Sequence, residues 1–175
     1  FVQSLRERFN VQPPQKPSFF TTQVRSEDLF ESQIEQVLAS NATGVATAIG
    51  LRADLIARAK ARGKTTFSLV GSVRHAQKAL ALGVDVLVAQ GYDAGGHTGS
   101  VGTFSLVPQI VAVAGVVPVL AAGGIGNGAQ IVGAIAMGAQ GGWLGTLWMA
   151  ARENHTPPAL LARLIAAGSE DTVIS

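Results

Sequence analysis

A chain of 175 residues is long enough to bury a sizeable core within one domain. Its composition, 47% apolar and only 14% charged, excludes intrinsic disorder. The net charge is +2, and the basic residues (Arg6, Arg8, Arg52, Arg58, Lys60, Arg62) are scattered without interleaved aromatics, which marks solvated helix faces and not a nucleic-acid surface.

In chain order, residues 1–25 hold Pro13, Pro14 and Pro17 and read as an irregular connection. "SEDLFESQIEQVLAS" (26–40) reads as a helix capped by Ser26, with Leu29, Ile34, Val37 and Leu38 as its apolar stripe. "GVATAIG" (44–50) is a predicted strand, and "RADLIARAKARG" (52–63) a helix closed by glycine after Lys and Arg. Strand "TTFSLV" (65–70) precedes helix "SVRHAQKALALG" (72–83), capped by Ser72. Strand "VDVLVAQ" (84–90) precedes helix "SLVPQIVAVAG" (105–115), and strand "VPVLAAG" (117–123) precedes helix "NGAQIVGAIAMG" (127–138), each helix with a polar cap. "GGWLGTL" (141–147) is the fifth predicted strand, and "PPALLARLIAAG" (157–168) the last helix, with proline in its first turn.

The five strands are continuously apolar, as strands covered on both faces are, and they alternate with helices. That pattern gives an α/β fold with a parallel sheet. Five strands suit either an open doubly wound sheet or most of a (β/α)8 barrel. The charge-free stretch from Thr98 to Ala151 is broken by Pro108, Gly115, Pro118 and a glycine cluster at 123–128. It is therefore a buried sheet with covering helices and not a membrane span, which needs about 20 apolar residues in a row. The absence of cysteine removes disulfides, thiolate nucleophiles and cysteine-built zinc sites, and suits a cytoplasmic protein. The opening "FVQSLRERFN" has no apolar segment behind a basic one, so no secretory signal is expected in it.

In either architecture ligands bind at the carboxyl ends of the strands. After the third strand comes "QGYDAGGHTG", after the fourth "GGIGNG", and in the fifth "WLGT". "GGIGNG" lacks the spacing and the downstream acid of a dinucleotide fingerprint, and the Lys and Ser/Thr of a P-loop. Gly123 and Gly124, with Gly145 and Thr146, suit a phosphate seat of the barrel type; the same glycines also suit tight turns alone. His97 is the candidate for proton chemistry, because an imidazole titrates near pH 6.5. Gln90 can present an amide to a ligand, whereas Asp93 is expected to brace its loop. His75 on a helix face and His155 in a polar loop read as ordinary surface residues, and no set of metal ligands or Ser–His–Asp triad is apparent.

"AQGYDAGGHTG", "PVLAAGGI" and "AMGAQGGWLGT" together resemble, in order and spacing, the nitronate monooxygenase family, once called 2-nitropropane dioxygenases. The resemblance runs from about Phe1 to the end and implies an FMN-dependent (β/α)8 barrel flavoprotein. It makes Gln90 and Gly95 flavin contacts and His97 the catalytic residue, and it assigns the FMN phosphate to Gly123 and Gly124 together with Trp143, Leu144, Gly145 and Thr146. It implies oxidation of an alkyl nitronate or nitroalkane with molecular oxygen. The sequence departs from the family where Asp93 replaces a common Glu and where Leu147–Trp148 replaces an Arg–Phe pair. Set against the family, the chain is expected to be a partial barrel of about five βα units lacking the first three strands, with "FV" the tail of the third. The piece is then expected to bind FMN weakly or not at all and to associate through its open edges. The alternatives are an FMN-dependent enoyl-acyl-carrier-protein or NAD(P)H:quinone reductase, and a non-catalytic barrel fragment. The charge-free helix 127–138 further predicts self-association, with Ala134 as the position to probe.

Overall fold

In the computed structural model, which describes residues 7–10, 27–48 and 50–172, the apolar runs become short parallel strands, each followed by a helix. The residues fall into two units, 1–42 and 43–175. In the first, helix α1 (Glu27–Ala39) carries Glu27 and Asp28 in its first turn, where carboxylates oppose the positive end of the helix dipole. Ile34 and Leu38 are buried, but Val37 is exposed, so the apolar stripe is narrower than its sequence suggests. The Ser26 cap, the opening Phe1–Val2 and the irregular connection, apart from Glu7–Asn10, lie outside the described residues.

The second unit runs β1 (Gly44–Thr47), α2 (Ala53–Ala61), β2 (Thr65–Val70), α3 (Val73–Ala81), β3 (Val86–Gln90), α4 (Thr103–Ala114), β4 (Val119–Ala122), α5 (Gly128–Ala136), β5 (Gly141–Trp143), α6 (Thr146–Met149) and α7 (Pro158–Ala166). Ser72 caps α3 by accepting the His75 amide, and Asn127 caps α5 by accepting the Gln130 amide. α4 differs from its expected start. It begins at Thr103, and its N-cap Gly102 carries no capping side chain. The fifth strand also ends early, at Trp143, because Thr146–Met149 turns into a helix. The end of the first predicted strand includes Ile49, which lies outside the described residues.

All strand pairings are parallel, and the sheet order is β1-β2-β3-β4-β5. Each strand lies next to the one before it. A doubly wound sheet reverses its order at a switch point, and here there is none. Right-handed crossovers in a sequence that never reverses put every helix on one face. The burial follows that geometry. Val70, Leu87, Ala89, Val119 and Ala121 point into the helix layer, where they meet Ile56, Ala76, Ala79, Leu106, Ile110 and Ala134 to form the core. The opposite face holds Ala46, Phe67, Val88, Leu120 and Trp143, related by the register of the pairings. Phe67 on β2 and Trp143 on β5 bring their ring centroids to 6.0 Å. Strands three steps apart in a flat sheet are about 14 Å apart, so the sheet curls toward this face. The fold is an α/β barrel arc of the TIM type with five βα units.

Curling leaves the two faces unequally covered, which corrects the expectation of strands buried on both. β3 and β4 are largely buried, whereas every residue of β5 is half-buried. A second correction concerns α5. Ala134 is buried in the helix layer, and the large exposed apolar side chains of that helix are Val132 and Ile135. A charge at Ala134 would therefore disrupt the core and report nothing about the surface. No helix among the described residues is long and apolar enough to cross a membrane.

At the amino ends of the strands, Asp85 joins three elements. Its Oδ2 accepts both the amide and the hydroxyl of Thr66, at 2.8 and 2.6 Å, and its Oδ1 lies 3.0 Å from Lys60 Nζ on α2. Burial opposes ionisation of Asp85, but the hydrogen bonds from Thr66 and the Lys60 ammonium outweigh it and hold its carboxyl below the usual carboxylate range. A depressed folded-state pKa stabilises the fold above the unfolded value, and that contribution is lost as pH falls through the folded value. Asp85→Asn is expected to cost about 1–2 kcal/mol at pH 7, given the partial exposure of the pair, and the difference from the parent should shrink as pH drops below 4. Urea unfolding at pH 7 and pH 3 measures both.

Candidate active site

The carboxyl ends of β3, β4 and β5 carry the three glycine-rich motifs, and the structure packs the backbones of the first two against one another. Thr103 is the centre. Its hydroxyl donates to Ala122 O at the end of β4 (3.1 Å), and Gly91 N donates to the same carbonyl (3.0 Å). Its amide donates to Asp93 Oδ2 at 2.7 Å. That amide is one of the donors a helix start leaves without a partner. Gly102 has no side chain to take it, and a Cβ on Gly102 would lie 3.3 Å from the Tyr92 ring. The cap comes instead from Asp93, ten residues earlier in the chain. The hydrogen bond from Thr103 holds the Asp93 carboxyl below the usual range, against a smaller opposing effect of burial. Asp93 thus braces its loop, as expected.

These contacts explain the glycines one by one. A Cβ on Gly91 would sit 2.2 Å from Thr103 N. One on Gly99 would sit 2.6 Å from Gly71 O in the loop after β2. Gly123, at φ +106°, faces Thr103 Oγ1 and Ala94 N at 2.6 and 2.9 Å. These three glycines are required by the protein's own close packing. Gly124, at φ +68°, is exposed and lies against Asp93 Cβ. Gly95 and Gly145 face open space, apart from Thr146 Oγ1 at 4.0 Å from the position a Gly95 Cβ would take.

The loop from Gly91 to Gly102 is closed at its base by Tyr92 N donating to Val101 O (3.0 Å). His97 sits exposed near its tip. Gln90, the last residue of β3, is half-buried and shares a groove of about 670 Å³ with His97, Gly71 and Ala48. Among the sequence candidates, the structure therefore places Gln90 and His97 on one groove, Gly95 near Thr146, and Gly123 and Gly124 against the Asp93–Ala94 turn. Trp143 packs against Phe67 with the rings tilted by 49° at the end of β5, and Leu144 is half-buried beside Gly142. Gly124 and Gly145 are exposed residues, and their amides donate to no group among the described residues. Gln130 keeps the first of these loops in shape, donating to Gly124 O and accepting Gly126 N–H.

Two residues of the groove escaped the sequence reading. His75 and Lys78 of α3 line it along with His97, although His75 reads as a plain surface residue in sequence. The signal that would have found them is tertiary: α3 starts right after Gly71, beside the returning loop at Gly99. No group of three or more His, Asp or Glu side chains suited to a metal occurs among the described residues. The packing at Thr103 yields a sharp expectation. Gly91→Ala forces a methyl group into backbone that cannot yield, and should destabilise the protein by about 2 kcal/mol or more, whereas Gly95→Ala should change stability by less than about 0.5 kcal/mol. Thermal unfolding of the two variants compares them directly.

Comparison with known proteins gives this arrangement its context. The nitronate monooxygenase family profile matches residues 6–175. A Mycobacterium tuberculosis protein provisionally named a monooxygenase is 48% identical over 122 residues, covering 70% of this chain and 32% of its own. An octahydroindene-carboxyl-CoA dehydrogenase of the same organism is 34% identical over 145 residues, covering 82% of this chain and 41% of its own. The chain thus spans less than half the length of these curated relatives. Among solved structures, FabK from Thermotoga maritima superposes with a TM-score of 0.75 at 28% identity, covering 98% of this chain and 53% of that one. Nitroalkane oxidase from Streptomyces ansochromogenes gives a TM-score of 0.70 at 31% identity, covering 77% and 42%. With the profile matching nearly its full length, the chain belongs to the nitronate monooxygenase family.

Proposed function

We propose that the chain carries the FMN-binding and catalytic half of a flavoprotein that oxidises alkyl nitronates, or the parent nitroalkanes, with molecular oxygen. The observation that carries this reading is that two exposed glycines whose amides have no acceptor among the described residues, Gly124 and Gly145, follow β4 and β5, at the same sheet edge as the histidine-bearing loop after β3. Free amides on consecutive strand-end loops suit a phosphate, and the open space at Gly95 and Gly145 lets a ring or ribityl chain approach the backbone. The donor set therefore fits FMN. In this reading Gly123 and Gly124 with Trp143, Leu144, Gly145 and Thr146 hold the phosphate end, and Gln90 and Gly95 contact the flavin. When bound, FMN supplies the two-electron acceptor chemistry that no side chain here has.

The chain's own residues bind, orient and move protons. Gln90 at the strand end and the braced 91–102 loop fix where the substrate stands. His97 takes the α-proton from a neutral nitroalkane; toward a nitronate, already deprotonated, it positions the anion. Treatment of all 175 residues as one flavin-binding domain, a cytoplasmic location and self-association through Val132 and Ile135 belong to the same reading. Val132→Lys should shift the protein toward monomer in sizing chromatography if that surface is an interface.

A second reading is a flavin-dependent reductase or dehydrogenase acting on an acyl thioester, which the identity to the carboxyl-CoA dehydrogenase favours. Anaerobic flavin bleaching by NAD(P)H would establish it and displace the first. The proposal is tested by His97→Asn, which keeps a polar side chain and removes the base. Flavin reduction by a neutral nitroalkane should slow by about 10²–10⁴-fold, while reduction by the preformed nitronate changes far less. Equal losses on both forms in stopped flow would make His97 a positioning residue, and no loss would remove it from the mechanism.

A further inference from the structure

We propose that Gln130 of α5 is a positioning residue for phosphate: its side chain turns the backbone of the loop after β4 so that N–H groups, and not carbonyls, meet the anion. This deepens the flavin reading above and rests on it.

No Lys or Arg occurs between Thr98 and Ala151, a stretch that holds the loops after β4 and β5. A phosphate at these two loops is therefore met mainly by peptide N–H groups, and its binding depends on which way they point. A trans peptide unit carries its C=O and N–H on opposite edges, so a flip of the unit turns an attractive group into a repulsive one. Glycine makes such flips cheap. This loop runs Gly123, Gly124, Ile125, Gly126, and its first two glycines are both at positive φ, +106° and +68°. Its sequence alone does not hold its peptide units one way round.

Gln130 holds the unit that joins Gly124 to Ile125. Its Nε2 donates to Gly124 O at 2.6 Å, and its Oε1 accepts the Gly126 N–H at 2.8 Å. The second bond orients the first. An amide N–H only donates, so Oε1 faces Gly126 and the NH2 group faces Gly124. With Gly124 O turned to Gln130, the Ile125 N–H lies on the opposite edge of the unit, where it donates to no group among the described residues. The unit is also anchored from its other end, because Ile125 packs on the core and lies beside Gly142 of β5.

The clamp is not needed to start the helix. α5 has its cap in Asn127, whose Oδ1 accepts the Gln130 amide at 3.0 Å. Nor does it fill the core, since Gln130, Gly124 and Gly126 are all exposed. What it does is fix the orientation of a solvent-facing glycine loop, which is what an anion site without cationic side chains requires.

FMN and riboflavin differ only in the phosphate, so the ratio of their dissociation constants isolates its binding. In flavin-fluorescence titrations, Gln130→Ala should weaken FMN about tenfold and riboflavin less than about twofold. Gln130→Glu keeps the acceptor for Gly126, cannot donate to Gly124 O and adds a negative charge, so it should weaken FMN more than Gln130→Ala does. Gln109→Ala, on α4, removes an exposed glutamine that donates to Ser105 O of its own helix, and should leave both constants unchanged. Because Gln130 is exposed, its variants are expected to fold as the parent does, which thermal unfolding checks. In parallel, inorganic phosphate titrated into isotope-labelled protein should shift the Gly124 and Ile125 amide resonances in the parent and in Gln109→Ala, and not in Gln130→Ala. If the parent binds neither flavin, the flavin reading fails by itself, and the phosphate titration still decides the role of Gln130. Equal loss of FMN and riboflavin in Gln130→Ala, no loss of either, or phosphate shifts that are absent from the parent or unchanged in the variant overturn the proposal.

Discussion

The hydroxyl and amide of Thr103 hold the candidate site together. One donates to the end of β4 and the other to Asp93 in the loop after β3, so a single residue at a helix start fixes two strand ends and the loop between them. Because Thr103 is buried, both donors would be costly to leave unpaired, and the surrounding chain is built to satisfy them. Gly91 is a glycine because Thr103 is against it, and Gly123 is a glycine for the same reason. Without this contact the loop bearing His97 would keep its hydrogen bonds at Gly91, Tyr92 and Ala94 and its contact with Gly71.

The arrangement divides labour among residues that look alike in sequence. Glycines 91, 99 and 123 are consumed by internal packing, and Gly95, Gly124 and Gly145 remain open to a ligand. The barrel arc makes that division possible. Only in a sheet that curls and never reverses do the loops after β3, β4 and β5 crowd on one rim while their helices stack on the other face. The helix layer then supplies the rigid core, and the rim is free to carry chemistry.

Much of this was legible in the residues. Continuous apolar runs separated by capped helices give the parallel α/β alternation, and Ser72 and Asn127 cap where their positions suggest. The three motifs locate the rim and the family. Other features were hidden for physical reasons. The cap of α4 comes from Asp93 across a loop, which no local pattern reveals, so the helix starts two residues before its expected Ser105. The run "GGWLGTL" has strand-like composition, yet it ends at Trp143, where the ring meets Phe67, and the chain turns into a helix at Thr146. Ala134 looks like a surface residue because its helix has no charge to mark the buried side. His75 and Lys78 become part of the groove only through the contact between the loops at Gly71 and Gly99, a long-range proximity that sequence spacing does not encode.

The central claim is that the rim formed by the loops after β3, β4 and β5 is one anion-binding flavin site. A crystal structure of the protein grown with FMN tests it most directly. The account predicts phosphate oxygens within hydrogen-bond distance of the Gly124 and Gly145 amides, with the ring system lying along Gly95 toward Gln90 and His97. A phosphate held elsewhere, with both amides left open to solvent, would contradict it.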